Sequence, residues 1–309
     1  MKINLFFVDD DIMRILLTGG TGFLGKALCA ELLKQQHQLT IFTRQPDKLT
    51  KQYQGKVQAV NQIEHLNPNS QFDVVINLAG EGIADKPWTN KRKQALYDSR
   101  VSLTKDLVNW LKQCSHQPQL LISGSAIGWY GNQNNNRVDE NSAPHQEFVH
   151  DLCHAWEQAA LTMQSPSTRV CIIRTGVVLA AQGGMLKRLL PVFKLNLGGR
   201  LGNGQQWFSW IGLDDFIAAI LFLIHHPQVD GIFNLTAPHP VTNQQFTQIF
   251  AQHLHRIAPF PVPSIVLKLL LGEMSTLLLD GQPVIPQRLI NLDFDFKSPT
   301  LDQALLNNA

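Results

Sequence analysis

Eight residues near the start of the chain, Thr18-Gly19-Gly20-Thr21-Gly22-Phe23-Leu24-Gly25, restrict its possible folds more than any other stretch. They stand between a short apolar run, Arg14–Thr18 (RILLT), and a segment with helical spacing, Lys26–Gln35. Strand, glycine-rich turn and helix in this order open a parallel α/β sheet whose first turn holds an anion. Each glycine has a task. Gly19 permits the tight turn, Gly22 lets backbone amides approach a pyrophosphate, and Gly25 lets the helix pack close to the sheet, with the anion at the positive helix N-terminus. The context around the glycines therefore predicts a dinucleotide site contacted by Gly19, Thr21, Gly22, Phe23, Leu24 and Gly25. A tight turn without a ligand is the competing reading.

Further apolar runs suit the same architecture. Gln38–Thr43, Phe72–Leu78, Leu120–Ser123, Val170–Val178 and Ile232–Leu235 read as strands, and near-continuous apolar strands belong to a parallel sheet covered on both faces. Arg100–Lys112 places apolar residues at 103, 107, 108 and 111, a helix pattern. Met185–Leu195, Asp214–His225, Thr242–His255 and Ser264–Leu271 also read as helices, with a glycine-rich stretch at Gly198–Gly204. The expected fold is α/β, a Rossmann-type doubly wound parallel sheet with a smaller C-terminal substrate lobe. The division expected is an N-terminal extension over 1–12, a dinucleotide-binding domain over 13–240 and the lobe region over 241–309.

Composition narrows the partners. With 44% hydrophobic and 16% charged residues in 309, the chain is neither disordered nor fibrous. A formal net charge of +2 gives no electrostatic case for nucleic acid or a membrane surface. The longest apolar run, ending at Ile224, is far short of the roughly 20 residues that span a bilayer. Cys29, Cys114, Cys153 and Cys171 are scattered, with no CxxC pair, so no disulfide framework is expected. Near the N-terminus, apolar Leu5–Val8 runs into Asp9, Asp10 and Asp11 with no small-residue cleavage site, so a cytoplasmic location is expected. The expected partner is a small-molecule substrate; nothing here sets an oligomeric state.

The second strand decides the dinucleotide. An acidic residue at its end would hold the ribose 2′-hydroxyl of NAD, but the chain has Thr43-Arg44 there, with Lys48 nearby. A guanidinium suits the 2′-phosphate of NADP, which it can grip bidentately. NADP is the expected cofactor and NAD the alternative.

Together, TGGTGFLG, then Asn77-Leu78-Ala79-Gly80, then Ser123–Gly131 (SGSAIGWYG) resemble an extended short-chain dehydrogenase/reductase. The chain is most similar to the epimerase family branch of those proteins. That likeness rests on Trp88–Thr104 with its Ser99-Arg100-Val101, on Gly198–Asp215, and on Leu269–Leu306, which resembles the branch's C-terminal domain of unknown function. The resemblance covers about residues 13–306. It implies a cofactor site extended by Leu78, Ala79, Gly80 and Arg100, and it supplies no substrate.

In that superfamily a Ser or Thr after the fifth strand orients the substrate oxygen, a Tyr moves the proton, and a Lys four residues on lowers the phenol's pKa. Ser125 matches the serine, with Ser123 a second candidate. No YxxxK occurs anywhere in the chain, and the register of the following helix puts Cys153 in the tyrosine slot and Glu157 in the lysine slot. A carboxylate one turn away would raise the thiol's pKa, so Cys153–Glu157 does not substitute simply for Tyr–Lys. Glu157 could act as a base, hold the nicotinamide ribose, or merely build the helix. Arg100 stands where a catalytic Asn is usual and suits an anionic ligand. His150 and His154 have metal-ligand spacing but no third ligand, so no metal is expected; Tyr130 reads as a loop residue at the site's edge. Trp207, Phe208 and Trp210 suit either a ligand cavity or the core. The leading expectation is an NADP-binding oxidoreductase or epimerase with Ser125, Glu157 and Cys153 as catalytic candidates. The alternative is a catalytically silent NADP-binding sensor.

Overall fold

The computed structural model describes residues 12–66 and 69–308. Of the expected N-terminal extension, only Ile12 lies within the described residues. Eleven strands are present among them: β1 (Arg14–Thr18), β2 (Gln38–Phe42), β3 (Val57–Val60), β4 (Val74–Asn77), β5 (Leu120–Ala126), β6 (Arg169–Thr175), β7 (Val177–Ala180), β8 (Trp207–Phe208), β9 (Trp210–Gly212), β10 (Gly231–Leu235) and β11 (Val241–Thr242). Seven form one sheet in the order β3-β2-β1-β4-β5-β6-β10, every pair parallel. Strand order reverses between β1 and β4, where Ile15 pairs with Leu39 on one side and Val74 on the other. Crevices at such reversals, outside the carboxyl ends of the strands, are where ligands bind in open α/β sheets.

Helices cover both faces. They are α1 (Phe23–Lys34), α2 (Pro46–Gln52), α3 (Asn90–Tyr97), α4 (Leu103–Gln113), α5 (Phe148–Leu161), α6 (Gly184–Lys194), α7 (Leu213–His225) and α8 (Asn243–His253), followed by α9 (Ser264–Leu271), α10 (Thr276–Leu279), α11 (Gln287–Asn291) and α12 (Leu301–Asn308). None of the described helices is long and apolar enough to cross a membrane. Strand side chains alternate between faces, so a strand buried on both must be apolar throughout. In β1, Ile15 and Leu17 join one core with Leu28 and Leu32 of α1 and Phe216 and Ile220 of α7. Leu16 points the other way, into a core with Leu107, Val108 and Leu111 of α4. Each fully buried side chain of this size contributes roughly 1.5–3 kcal/mol, which is why RILLT carries no polar residue between its ends.

One local expectation fails, and one strand goes unread. Val170–Val178 is not one strand: the chain leaves the sheet at Gly176, where a Cβ would stand 2.8 Å from the Ser209 carbonyl oxygen and 2.9 Å from Thr236 Cγ2. Beyond it β7 pairs with β9 instead. The four-residue β3, VQAV, was too short to stand out. A separate core unites Leu179, Leu186, Phe193 and Trp210 with Phe246, Phe250, Leu301, Ala304 and Leu305. The lobe is thus assembled from residues on both sides of the last sheet strand. Trp210 is buried there and Phe208 packs against it, so these two aromatics serve the core. Trp207 is half-buried outside this core, its indole donating to Asn135 Oδ1 at 3.0 Å.

Candidate active site

The glycine turn follows directly from close packing. Gly19 has φ +75°, and a Cβ there would lie 2.6 Å from the Leu78 carbonyl carbon. A Cβ on Gly25 would collide with the Gly19 carbonyl oxygen and the Gly20 Cα, so α1 lies against the turn only with glycine there. Gly22 differs: its Cβ would meet only the Gly19 carbonyl oxygen, at 3.2 Å, leaving its outer side open. Gly22 caps α1, whose first turn holds no acidic residue, so its leading amides are left to an outside acceptor. These residues fit a pyrophosphate. Thr21 is exposed beside them, Leu24 packs on the sheet core and Phe23 lies against Gly183 and Gly184 at the start of α6.

Across the crevice, Thr18 Oγ1 donates to Asn77 Oδ1 at 2.6 Å and accepts the Ala79 amide at 3.1 Å. This locks the end of β4, and with it Leu78, Ala79 and Gly80, to the end of β1. Asn77 in turn donates to Thr104 Oγ1 at 2.8 Å. Arg100 sits in a π-helical turn, Asp98–Ser102, just before α4. Its guanidinium donates to the Glu81 carbonyl at 2.7 Å and lies 5.5 Å from the Trp156 ring. It also lines Gly80, where a Cβ would come within 3.0 Å of Arg100 Cζ. Burial, aided by the Arg92 charge, lowers the Arg100 pKa against the opposing pull of Cys153 and Glu81. At the end of β2, Thr43 is buried and its hydroxyl accepts the Gln45 amide at 3.2 Å. Arg44 and Lys48 are both exposed beside it.

All three catalytic candidates converge. Ser125, at the end of β5, donates its hydroxyl to Glu157 Oε1 at 2.6 Å. Cys153, one turn before Glu157 on α5, lies beside Ser125 and Ala126. What the sequence reading missed is Arg174 of β6. Its Nε and Nη2 each donate to the Glu157 carboxylate at 2.8 Å, a bidentate pair with both side chains at least 97% buried. Strand pairing explains the meeting, since Ser125 stands opposite Arg174 in register. Burial pulls the Arg174 pKa down, but the hydrogen bonds and charge of Glu157 outweigh it and the net shift is upward. The Arg174 guanidinium also stacks 3.4 Å from the centroid of the Trp129 ring. The signal was present: a lone charge near the end of an apolar strand must find a partner when the strand is buried.

Other polar residues fall into structural places. Tyr130 is fully buried and donates to Asn234 Oδ1 at 2.8 Å, and burial pushes its phenol up to about 12. His150 Nδ1 bonds the Trp129 carbonyl at 2.6 Å, and its ring stacks on His154. Among the described residues no cluster of three His, Cys, Asp or Glu side chains could hold a metal. A segment from the C-terminal region closes in from above: Gln282 Nε2 donates to the Ile127 carbonyl at 3.3 Å, and Ser209 Oγ donates to the Gln282 carbonyl at 2.8 Å.

Burial pushes the Cys153 thiol up to about 12, assisted by the Glu157 charge. Burial likewise raises Cys29 to about 12 and Cys171 to about 11, and it raises Cys114 as well. All four are buried thiols. The native protein is therefore expected to react slowly with an aromatic disulfide reagent at neutral pH, and to expose its full thiol complement only in denaturant. Fast modification of Cys153 in the folded protein, located by peptide mapping, would contradict this placement.

Comparison with known proteins agrees with this geometry. Residues 15–236 match the NAD dependent epimerase/dehydratase family, and residues 262–307 match a domain of unknown function, DUF1731. An epimerase family protein of Mycobacterium bovis is 37% identical over 302 residues, covering 94% of this chain and 96% of that protein. The chloroplastic SDR39U1 homolog of Arabidopsis thaliana is 35% identical over 299 residues, covering 95% and 86%. The crystal structure of human epimerase family protein SDR39U1 (isoform 2) with NADPH superposes with a TM-score of 0.87 at 31% identity, covering 96% of this chain and 99% of that one. With its sheet order, its glycine turn and these matches along nearly its whole length, the chain belongs to the NAD-dependent epimerase/dehydratase family, in the group that carries a C-terminal DUF1731 segment.

Proposed function

We propose that this protein is an NADPH-dependent oxidoreductase or epimerase acting in the cytoplasm on a small molecule, with its substrate oxygen against Ser125. The glycine turn, Leu78–Gly80 and Arg100 would bind the dinucleotide, and Thr43 and Arg44 its adenosine end. Bound there, the nicotinamide would supply hydride chemistry. Residues 13–240 would hold the cofactor and 241–309 complete the substrate lobe. The observation that carries the reading is the Ser125–Glu157–Arg174 arrangement. A buried bidentate ion pair is costly to desolvate, and here its carboxylate holds one buried serine hydroxyl at the carboxyl end of β5. The human relative bound to NADPH supports the cofactor. The test is a screen of the NADPH-loaded protein against carbonyl compounds and nucleotide sugars, following loss of reduced nicotinamide.

A silent cofactor sensor is the second reading, and the buried Cys153 in the tyrosine slot favours it, because a thiol with a pKa near 12 is a poor proton donor. Failure of every carbonyl and sugar to turn over, with tight NADPH binding intact, would give this reading the lead. Cofactor choice is checked separately. NADPH is expected to bind more tightly than NADH, and Arg44→Ala to erase the difference by removing a charge-assisted contact of roughly 1.5–3 kcal/mol. Equal calorimetric affinities for the two cofactors in the parent protein would refute the role of Arg44.

A further inference from the structure

Acidic residues are unevenly spread along the chain. It holds 24 Asp and Glu, yet none stands in residues 184–213 or 231–272, which carry α6, α8 and α9. Those same stretches carry nine of the twelve exposed large apolar side chains among the described residues. Two segments run side by side there. Arg256 Nε donates to the Lys194 carbonyl at 3.0 Å, the Ile257 amide to Asn196 Oδ1 at 3.0 Å, and the Val262 amide to the Arg200 carbonyl at 2.9 Å. On these segments Leu195, Leu197, Ile257 and Phe260 are each more than half exposed. Pro263 then leads into α9, where Leu267 is buried while Ile265, Leu269 and Leu270 face outward.

The cations of this face stand beside its apolar residues. Lys194 precedes Leu195, Arg256 precedes Ile257 and Lys268 precedes Leu269. These three and Arg200 are exposed, and none is ion-paired among the described residues. Beyond α9, Glu273 is already held by Lys93 at 2.6 Å, and half-buried Asp280 interacts with Lys268. Beside Phe260, a hollow of about 330 Å³ is lined by Arg200, Gln244, Thr247, Gln248, Pro259 and Pro261. A guanidinium among amide and hydroxyl donors suits a phosphate group.

We propose that this face rests on an anionic phospholipid bilayer, with Phe260 and the α9 leucines at the acyl boundary and a headgroup phosphate at Arg200. The apolar side chains enter the lipid and the neighbouring cations meet its negative surface. A second copy of the chain fits less well, because a two-fold axis through the face sets its cations against their like. The formal net charge of +2 conceals this asymmetry, since acidic residues elsewhere in the chain balance the lobe. A whole-chain sum therefore cannot speak against a membrane surface here. The inference goes beyond the proposed reaction and does not depend on it.

Co-sedimentation of the full chain with lipid vesicles tests this. Binding is expected to phosphatidylcholine vesicles containing about one third phosphatidylglycerol, weakening steeply at about 0.5 M salt, and not to pure phosphatidylcholine. Arg200→Gln with Lys268→Gln is expected to lower the affinity about 25-fold, near fivefold for each cation removed. Leu269→Asn with Leu270→Asn is expected to lower it by about tenfold or more at low salt, where a purely electrostatic contact survives. All four altered side chains are exposed, and an unfolding midpoint equal to the parent's confirms the fold of each variant. Where the leucine variant shifts that midpoint, the charge variant decides. No binding to the anionic vesicles, equal binding to both vesicle types, or binding that either folded variant leaves unchanged overturns the proposal. So does a concentration-dependent dimer that Leu269→Asn with Leu270→Asn dissolves, since a second copy then covers the face.

Discussion

Gly22→Val is expected to abolish dinucleotide binding while leaving the thermal unfolding midpoint close to that of the parent. A Cβ at Gly22 meets only the Gly19 carbonyl oxygen, at 3.2 Å, so the protein itself has room for a side chain there. What the side chain would fill is the approach to the first amides of α1, where a pyrophosphate must come to van der Waals contact with the backbone. Gly25→Val is expected to behave in the opposite way. Its Cβ lies against the Gly19 carbonyl and 2.7 Å from Gly20 Cα, both backbone, so α1 must lift from the sheet. Overpacking of this kind costs about 1–3 kcal/mol or more, read as a lower midpoint by calorimetry. A Gly22→Val variant that kept NADPH affinity would remove the anion role from this turn. An unchanged midpoint in Gly25→Val would refute the close packing.

The second large effect separates chemistry from stability at neighbouring residues. Ser125→Ala is expected to lower turnover by about 10²–10⁴, the range for a group engaged in proton transfer, with little change in cofactor affinity. Glu157→Ala is expected to unfold the site before it can be assayed. It leaves the Arg174 guanidinium, 1% exposed, with no counter-charge, a loss of about 3–5 kcal/mol for a buried pair broken on one side. Glu157→Gln keeps the volume and tests the charge. Cys153→Ala is expected to be mild, since its thiol stays protonated at neutral pH. Turnover of the hit from the NADPH screen and the midpoint in denaturant provide the two readouts. A fully active Ser125→Ala would take the chemistry away from β5, and a Glu157→Ala as stable as the parent would mean that Arg174 finds another partner.

The features legible in the chain are those set by short-range physics. The turn Thr18–Gly25 declared itself because its glycines stand at fixed spacing between a strand and a helix, although the contact that demands Gly19 is with Leu78, on a distant strand end. Ser264–Leu271 gave a helix of the same bounds, since its apolar residues cluster locally. Residues 100–112 gave most of α4, but the π-helical turn ahead of it, which brings Arg100 to Gly80, has no signature in spacing. Arg174 stayed hidden for a different reason. Its partner lies 17 residues away on another element, and only the pairing of β5 with β6 brings Ser125, Glu157 and Arg174 together. The break at Gly176 depends on Ser209 and Thr236, more than 30 positions later. Long-range contacts of this kind follow from topology, and periodicity along the chain cannot encode them.

The lobe's shared core bears on how proteins of this kind can be recombined. Phe193 packs on Phe250 with ring centroids 4.8 Å apart, Phe208 on Phe246 at 4.6 Å, both pairs tilted, and α12 packs against β7 and β9 as well as α8. The stretch from 241 onward therefore carries only one half of an interlocking surface; the other half is written into residues 179–210. A chimera that borrows the C-terminal segment from a relative inherits side chains shaped for a foreign Leu179, Leu186, Phe193 and Trp210. The interchangeable unit is a discontinuous one, two stretches of chain exchanged together, and a single crossover between the two matched family segments would cut through the middle of a core.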